Sequence, residues 1–505
     1  MTKKNIIKLS LVASYILAAF IAGCFPKDSL QWSKDGSTGI YSKNGALFIV
    51  DGNTGSLTQV APKETTTNWP AISPDGAMIA FGSTVKVDQF NNALKQLPQN
   101  QVKLIETHAE ILKQKILAEG IKDGNFPFIG NPVATDKGPK DSFNDQHIAW
   151  VQRYLVEKAD KQLTEKIGPD LINKTKSKDL TYCRLVCAPT SDPNNHKVLT
   201  TNEQTLWRIR FSPDSRLIAF GQDRIYGSAW DVGFDLYIVS LTESFTPAFI
   251  APAVAFGYDF KSDSRAIAYI KPENEFFDAR KTLGSLVERT VIDPNGKFLV
   301  SPALSGVGGS ERLDGNNSPA LYVCTGTAME LAGLLYHPWM CASYAADNRI
   351  FFASVKMSLP SSKLYEEEQS VFCCDLLIYA ISELSPRVPD EWQGNLYLFA
   401  LSGDSRKILI PGKKNILGLY ALGPDLDKTK VIVDTNESFG DDSPPKLVSQ
   451  WKGPDQLSCL VSEKSRYLTT DPNTPHRRKE IVILDAEGKL VKILSKDWPD
   501  ELLDY

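Results

Sequence analysis

The sequence predicts an all-β chain folded as a six- or seven-bladed β-propeller, seven being preferred, with one α-helical hairpin inserted. Three observations carry this expectation. A short pattern, an apolar residue then Ser-Pro-Asp-Gly or a close variant then an apolar run, recurs along the chain. The copies are spaced as propeller blades are. One interval is too long, and it is filled by sequence of helical periodicity.

The clearest copies are Trp32-Ser33-Lys34-Asp35-Gly36, Ile72-Ser73-Pro74-Asp75-Gly76, Phe211-Ser212-Pro213-Asp214-Ser215 and Phe260-Lys261-Ser262-Asp263-Ser264. Weaker ones are Tyr344-Ala345-Ala346-Asp347-Asn348 and Trp451-Lys452-Gly453-Pro454-Asp455. Each leads into β-branched or aromatic residues, such as Met78 to Phe81 and Leu217 to Phe220. Such runs suit strands buried on both faces. The turn residues have local causes: Pro presets φ, Asp bonds its own backbone, and Gly or Ser sits where the chain reverses. Third strands follow at Leu47–Val50, Leu236–Val239, Leu321–Val323, Leu396–Phe399 and Ile481–Leu484. Asp35 to Asp75 is 40 residues and Asp214 to Asp263 is 49, a blade period. A further unit is expected around Ile416–Val433, and the Asp and Gly residues of these turns are expected to be structural. The pattern resembles the repeat of TolB-like propellers, a branch of the WD-type families, across most of residues 29–83 and 195–505. That resemblance implies a fold and leaves activity open, because propellers host binding modules and enzymes alike.

Asp75 to Asp214 spans 139 residues, far beyond one blade. Within it Ile105, Ala109, Leu112 and Ile116 form one helical stripe, stopped by Gly120. A second helix is expected from Ser142, as cap, through Ile148, Val151, Leu155 and Ala159 to Gly168-Pro169. The expected division is 24–83 first blades, 84–180 helical insertion and 181–505 remaining blades. A second gap near Pro272–Ser318 contains Val291 to Lys297, expected to form an added hairpin.

The first residues carry an address. Lys3, Lys4 and Lys8 flank an apolar run from Leu9 to Ala22, too short to span a bilayer comfortably and suited to a signal peptide of residues 1–23. The run ends Ile21-Ala22-Gly23-Cys24, which resembles the lipobox of bacterial lipoproteins. The resemblance implies lipid attachment at Cys24, anchoring in the membrane, and a cell-envelope location. Phe25, where an Asp would retain the protein at the inner membrane, implies the outer membrane or cell surface. Cleavage would remove three lysines and take the net charge from −4 to −7, so acyl chains and not charge must hold the protein to lipid.

Hydrophobic residues make up 42% of the 505 and charged residues 23%, a globular balance. With no long basic run, a nucleic-acid partner is not expected. Of the cysteines after Cys24, Cys183 and Cys187 lie about 13 Å apart if extended, too far for a bond, and buried thiols are expected. The five histidines (His108, His147, His196, His337, His476) show no metal or catalytic spacing, and no nucleophile or phosphate motif is present. No cofactor, catalytic residue or metal ligand is therefore expected. Trp150, Arg153 and Tyr154 on the second helix either dock the hairpin or form a partner-binding element, since aromatics and Arg dominate interface hot spots. The functional expectation is a lipid-anchored scaffold for an envelope protein or peptide. The alternative is a carbohydrate- or peptide-processing propeller enzyme with its site at the channel mouth.

Overall fold

A computed structural model describes residues 29–61, 66–129, 143–225, 234–242, 247–254 and 258–260. It also describes 262, 264, 267–271, 289–292, 298–301, 320–324, 329–333, 342–344, 350–357, 367–375, 380–383, 400–402, 407–411, 417–421, 450–461, 465, 467–468, 478–486 and 488–503. Cys24 and the leader, the strand expected at 396–399, and residues 430–433 lie outside these. The chain divides into two compact units, residues 64–344 and residues 1–63 with 345–505.

The first strands are β1 (Ser29–Trp32), β2 (Thr38–Lys43), β3 (Ala46–Asp51) and β4 (Leu57–Ala61), an antiparallel meander in chain order. A second meander is β5 (Thr67–Ile72), β6 (Met78–Lys86), β7 (Thr181–Pro189) and β8 (Lys197–Asn202). A third is β9 (Leu206–Phe211), β10 (Leu217–Asp223), β11 (Phe234–Ser240) and β12 (Ala248–Val254). Next come β13 (Tyr258–Phe260) and β14 (Ile267–Lys271), then β15 (Arg289–Ile292) paired with β16 (Phe298–Ser301), the added hairpin expected there. Strands β17 (Ala320–Cys324) and β18 (Met329–Gly333) complete the sheet begun by β13 and β14, and β19 (Ala342–Tyr344) ends the unit.

In the other unit β20 (Ile350–Met357), β21 (Glu367–Asp375) and β22 (Ala380–Glu383) pair in that order. So do β23 (Ala400–Leu401), β24 (Lys407–Pro411) and β25 (Leu417–Ala421). A last four-stranded meander is β26 (Gln450–Lys452), β27 (Gln456–Val461), β28 (Glu480–Asp485) and β29 (Leu490–Ile493). The molecule is thus mostly β, built from repeated four-stranded antiparallel sheets. Neighbouring sheets within a unit meet through their first strands: β5 lies beside β9, β13 beside β19, and β1 beside β26. That is how propeller blades pack.

The repeated turn explains why each meander begins alike. Ser33 Oγ donates to Asp35 Oδ1 at 2.7 Å and accepts the Thr38 N–H at 3.1 Å, while Asp35 Oδ1 also accepts the Ser37 N–H at 3.0 Å. The same three bonds recur at Ser73–Asp75–Ala77–Met78 and at Ser212–Asp214–Arg216–Leu217. All three serines are buried. The Ser37 N–H and then the Ser33 hydroxyl hold Asp35 below the usual carboxylate range. Burial pushes Asp75 up, but its hydrogen bonds outweigh this and leave it lowered. The turn also reaches the next sheet: Ser215 Oγ meets the Asp75 N–H at 3.4 Å, and Ser264 Oγ accepts the Asp214 N–H at 3.0 Å. Between the first and last sheets a side chain does not fit. Gly36 has φ +71, and a Cβ there would stand 2.9 Å from the Gly453 nitrogen. Trp32 Nε1–H donates to Ser458 Oγ at 3.0 Å and Trp498 Nε1–H to the Gly55 carbonyl at 2.6 Å, joining the same two sheets.

The insertion departs from a two-helix hairpin. It contains α1 (Phe90–Leu94), α2 (Gln99–Glu119), α3 (Asp145–Glu157), α4 (Lys161–Ile167) and α5 (Pro169–Ser177). The expected second helix breaks because Asp160 Oδ1 takes the Leu163 N–H at 2.9 Å and so caps a new start. Gly168-Pro169 ends α4 as expected, but Pro169 then opens α5, where a missing N–H costs nothing. The cap of α3 is Asn144, not Ser142: Asn144 Oδ1 accepts the Gln146 N–H at 2.8 Å. Gly120, φ +71, does end α2. Ile105, Ala109, Leu112 and Ile116 are buried against Val151, Leu155, Leu163 and Ile167, so the insertion has a core of its own.

Asp214→Ala removes the acceptor of a buried hydroxyl, so a loss of about 1–2 kcal/mol is expected, seen as a lower thermal midpoint. Gly36→Ala, strained in φ and in space, is expected to cost about 1–3 kcal/mol by the same measurement.

Candidate functional site

Strand alternation decides where the insertion sits. In a meander the second-to-third connection and the exit to the next sheet lie at one end, and the Ser-Asp turn between the first and second strands lies at the other. The insertion joins β6 to β7, the second and third strands of their sheet. These two stay in unbroken register from Met78↔Pro189 to Lys86↔Thr181, so the sheet is undisturbed by what separates them in sequence.

At that end the insertion is tied down by polar contacts. The Asn144 N–H donates to the Ile225 carbonyl just after β10 at 2.8 Å, and Gln101 Oε1 accepts the Glu203 N–H at 3.2 Å. Trp150 Nε1–H and Gln146 Nε2–H both donate to the Thr181 carbonyl, at 3.0 and 2.6 Å. Between these anchors lies a buried chain of titratable groups. His108 Nδ1 of α2 is 2.7 Å from His147 Nε2 of α3, and His147 Nδ1 is 2.9 Å from Glu203 Oε1. His147 is 0% exposed, Glu203 1% and His108 7%. The Phe143 ring packs on both imidazoles. Burial, and then the charge of His147, push His108 down to about 4. Glu203 Oε2 has no hydrogen-bond partner among the described residues.

The sequence shows no metal or catalytic spacing among the histidines, and the structure brings two of them, His108 and His147, into contact. The signal was present in a weak form. His108 falls between Ile105 and Leu112 on the apolar stripe of α2, and His147 lies one turn before Val151 on that of α3. Spacing along the chain cannot show that two stripes face each other.

The three residues singled out on α3 separate. Trp150 is fully buried in the insertion's core, beside Phe90 at 5.5 Å between ring centroids, which fits the docking reading. Arg153 Nε pairs with Glu157 Oε1 at 3.0 Å, and its Nη1 donates to the Lys176 carbonyl. Tyr154 is half-buried, its hydroxyl 3.1 Å from Glu106 Oε1. Outside this core, Phe128 is 60% exposed and Ile111 44%. Cys183, Cys187 and Cys459 are buried and form no disulfide; burial pushes Cys187 up to about 12. Among the described residues no cluster of His, Cys, Asp and Glu is arranged to hold a metal ion.

The first strands carry a second polar feature at the same end. Trp69 and Arg208 take positive φ, 49 and 45, at irregularities of β5 and β9. Trp69 and Trp207 pack with centroids 5.9 Å apart, and Trp207 Nε1–H donates to Asp223 Oδ1 at 2.7 Å. Burial pushes Asp223 up to about 7, against the lowering effect of its hydrogen bonds from Trp207 and Thr205.

No family model matches the chain, and no curated protein matches it. The neighbours among solved structures are propellers. The chain is similar to TolB from Acinetobacter baumannii at 13% identity and TM-score 0.32, over 61% of this chain and 58% of that one. It is similar to the propeller domain of the Trilobed protease from Pyrococcus furiosus at 10% identity and TM-score 0.42, over 94% and 99%. An oligogalacturonate lyase in complex with manganese aligns at 10% identity and TM-score 0.41, over 80% and 79%. TolB proteins and enzymes stand side by side here, and likeness at this level assigns no activity.

Two outcomes are expected. Trp150→Ala should unfold or loosen the insertion at about 3–5 kcal/mol, whereas Tyr154→Ala should cost far less; thermal unfolding checks both. Asp223→Asn keeps an acceptor for Trp207 and removes a charge that burial opposes. The raised folded pKa means the wild-type carboxyl contributes fully below its unfolded value near 3.8, and that contribution drains as pH rises through about 7. The variant is therefore expected to melt a few degrees above wild type at pH 8, a margin that narrows steadily as pH falls toward 4.

Proposed function

We propose that this protein is a lipid-anchored, exported seven-bladed propeller that serves as an interaction scaffold in the cell envelope. Its partner is an envelope protein or peptide, met at the end of the sheets that carries the helical insertion. The observation that supports this most is the insertion itself. The insertion's described helices build a core that reaches Tyr182 and Val85 on a sheet whose strands pair in unbroken register, and Phe128 and Ile111 stay exposed. Chain retained at a loop end, with no role in the sheet, is chain available for binding. Arg153 and Tyr154 lie at the edge of that core, where they would contribute from the rim, with Trp150 holding α3 in place. The lipobox-like Ile21-Ala22-Gly23-Cys24 supplies the anchor in this reading, through a diacyl group on Cys24, with outer-membrane or surface location following from Phe25.

Replacing residues 87–180 by a short Gly/Ser linker tests the binding role. Loop-closure cost changes slowly with length, so the sheets are expected to fold and the chain to stay anchored. Crosslinking in cells is expected to lose the principal partner seen with the full chain; retention of every partner refutes the assignment to this end. Cys24→Ala is expected to abolish incorporation of labelled fatty acid, and continued labelling would refute the anchor.

A further inference from the structure

The contact between His108 and His147 admits one hydrogen between its facing nitrogens. We propose that this imidazole pair makes the seating of the helical insertion dependent on protons, one hydrogen between the facing nitrogens holding α2 to α3, and a second forcing them apart in acid.

The argument is first geometric. Glu203 Oε1 at 2.9 Å accepts from His147 Nδ1–H, which fixes that edge of the ring. The other edge, Nε2, meets His108 Nδ1 at 2.7 Å, so one of these two atoms must donate and the other must accept. In the neutral pair His147 Nδ1 carries that ring's hydrogen, so His108 Nδ1–H donates to His147 Nε2; one added proton still leaves a single hydrogen between the facing nitrogens. When both rings are imidazolium, N–H points at N–H and the bond becomes a repulsion. The rings are perpendicular and held by Phe143, at 4.3 Å from His108 and 5.3 Å from His147 between centroids, so neither can turn away without moving its helix.

Among the described residues no second acid is seen bonded to the pair. Glu203 is the acid in contact with the pair; its backbone N–H bonds Gln101 of α2. Several other charged groups of the elements packed here pair elsewhere. Glu106 of α2 meets Tyr154, Lys113 of α2 meets Asp160 before α4, Arg153 of α3 meets Glu157, and Lys176 of α5 meets Glu157. The direction of titration agrees. His108 sits near 4 in the folded chain against an ordinary 6.5, so the folded seat favours its neutral form. Its contribution is complete above about pH 6.5 and drains as pH falls toward 4. The chain of contacts spans α2, α3 and the β8–β9 connection, so its loss frees the insertion from the sheet end and not merely one side chain. This goes beyond the scaffold reading and does not depend on it, since it concerns the fold of this chain alone.

Hydrogen–deuterium exchange on the full mature chain at pH 7 and pH 4.5, corrected for intrinsic rates, tests the proposal. Amides of α3 are expected to lose protection at least tenfold at pH 4.5, while those of β10 and β11 hold. In His108→Asn the amide Nδ2–H replaces Nδ1–H as donor to His147 Nε2 and cannot titrate, so protection of α3 is expected to persist at pH 4.5. An unchanged α3 in wild type, or the same acid loss in the variant, would overturn the proposal. Should the variant not fold, histidine 15N spectra of wild type decide: His108 must gain its proton over the same pH range in which α3 loses protection. A His108 that stays neutral while α3 opens overturns it equally.

Discussion

A buried serine hydroxyl shared between an aspartate and a backbone N–H is the interaction on which the rest of the structure depends. Each Ser-x-Asp turn takes two polar groups into the sheet and satisfies them locally, Ser73 Oγ to Asp75 Oδ1 at 2.5 Å and the Met78 N–H to Ser73 Oγ at 2.8 Å. An unpaired hydroxyl there would cost about 1–3 kcal/mol, enough to open a hairpin. Because the bonds close within six residues, each sheet begins independently of its neighbours. The residue after the Asp then serves the neighbouring sheet, as Ser215 and Ser264 do through their hydroxyls and Gly36 does by having no side chain. One short pattern thus sets both the start of a blade and its spacing from the next.

That constraint explains what the sequence revealed. The turns at Asp35, Asp75 and Asp214, the third strands at Leu47, Leu236, Leu321 and Ile481, and the hairpin at Val291 were legible because each is encoded locally, by turn chemistry and apolar runs. The interlock of Ser215 with Asp75 was not, since it joins residues 140 apart. The helical stripes were legible as periodicity, and their shared core follows from it. The breaks at Asp160 and Pro169 were written in capping residues that an apolar stripe, continuing through Leu163 and Ile167, concealed.

The candidate site was the least legible part. His108, His147 and Glu203 are far apart in the chain, and each alone is an ordinary residue on an apolar face or at a strand end. Their chemistry arises from burial and opposition, which only the packing of α2 on α3 and of both on the β8–β9 connection creates. Trp150 shows the reverse case: an aromatic at helical spacing that suggests an interface is used inside the insertion. The same sheet end therefore holds a buried polar chain, a second cluster around Trp69, Trp207 and Asp223, and the exposed Phe128 and Ile111 of the insertion.

Projection images of the purified protein by electron cryomicroscopy would test the central claim most directly. The account predicts seven radial sheets about one axis, with additional helical density at a single end, the end opposite the Ser-Asp turns. A face-to-face sandwich of sheets, or helical density at the same end as those turns, would contradict it.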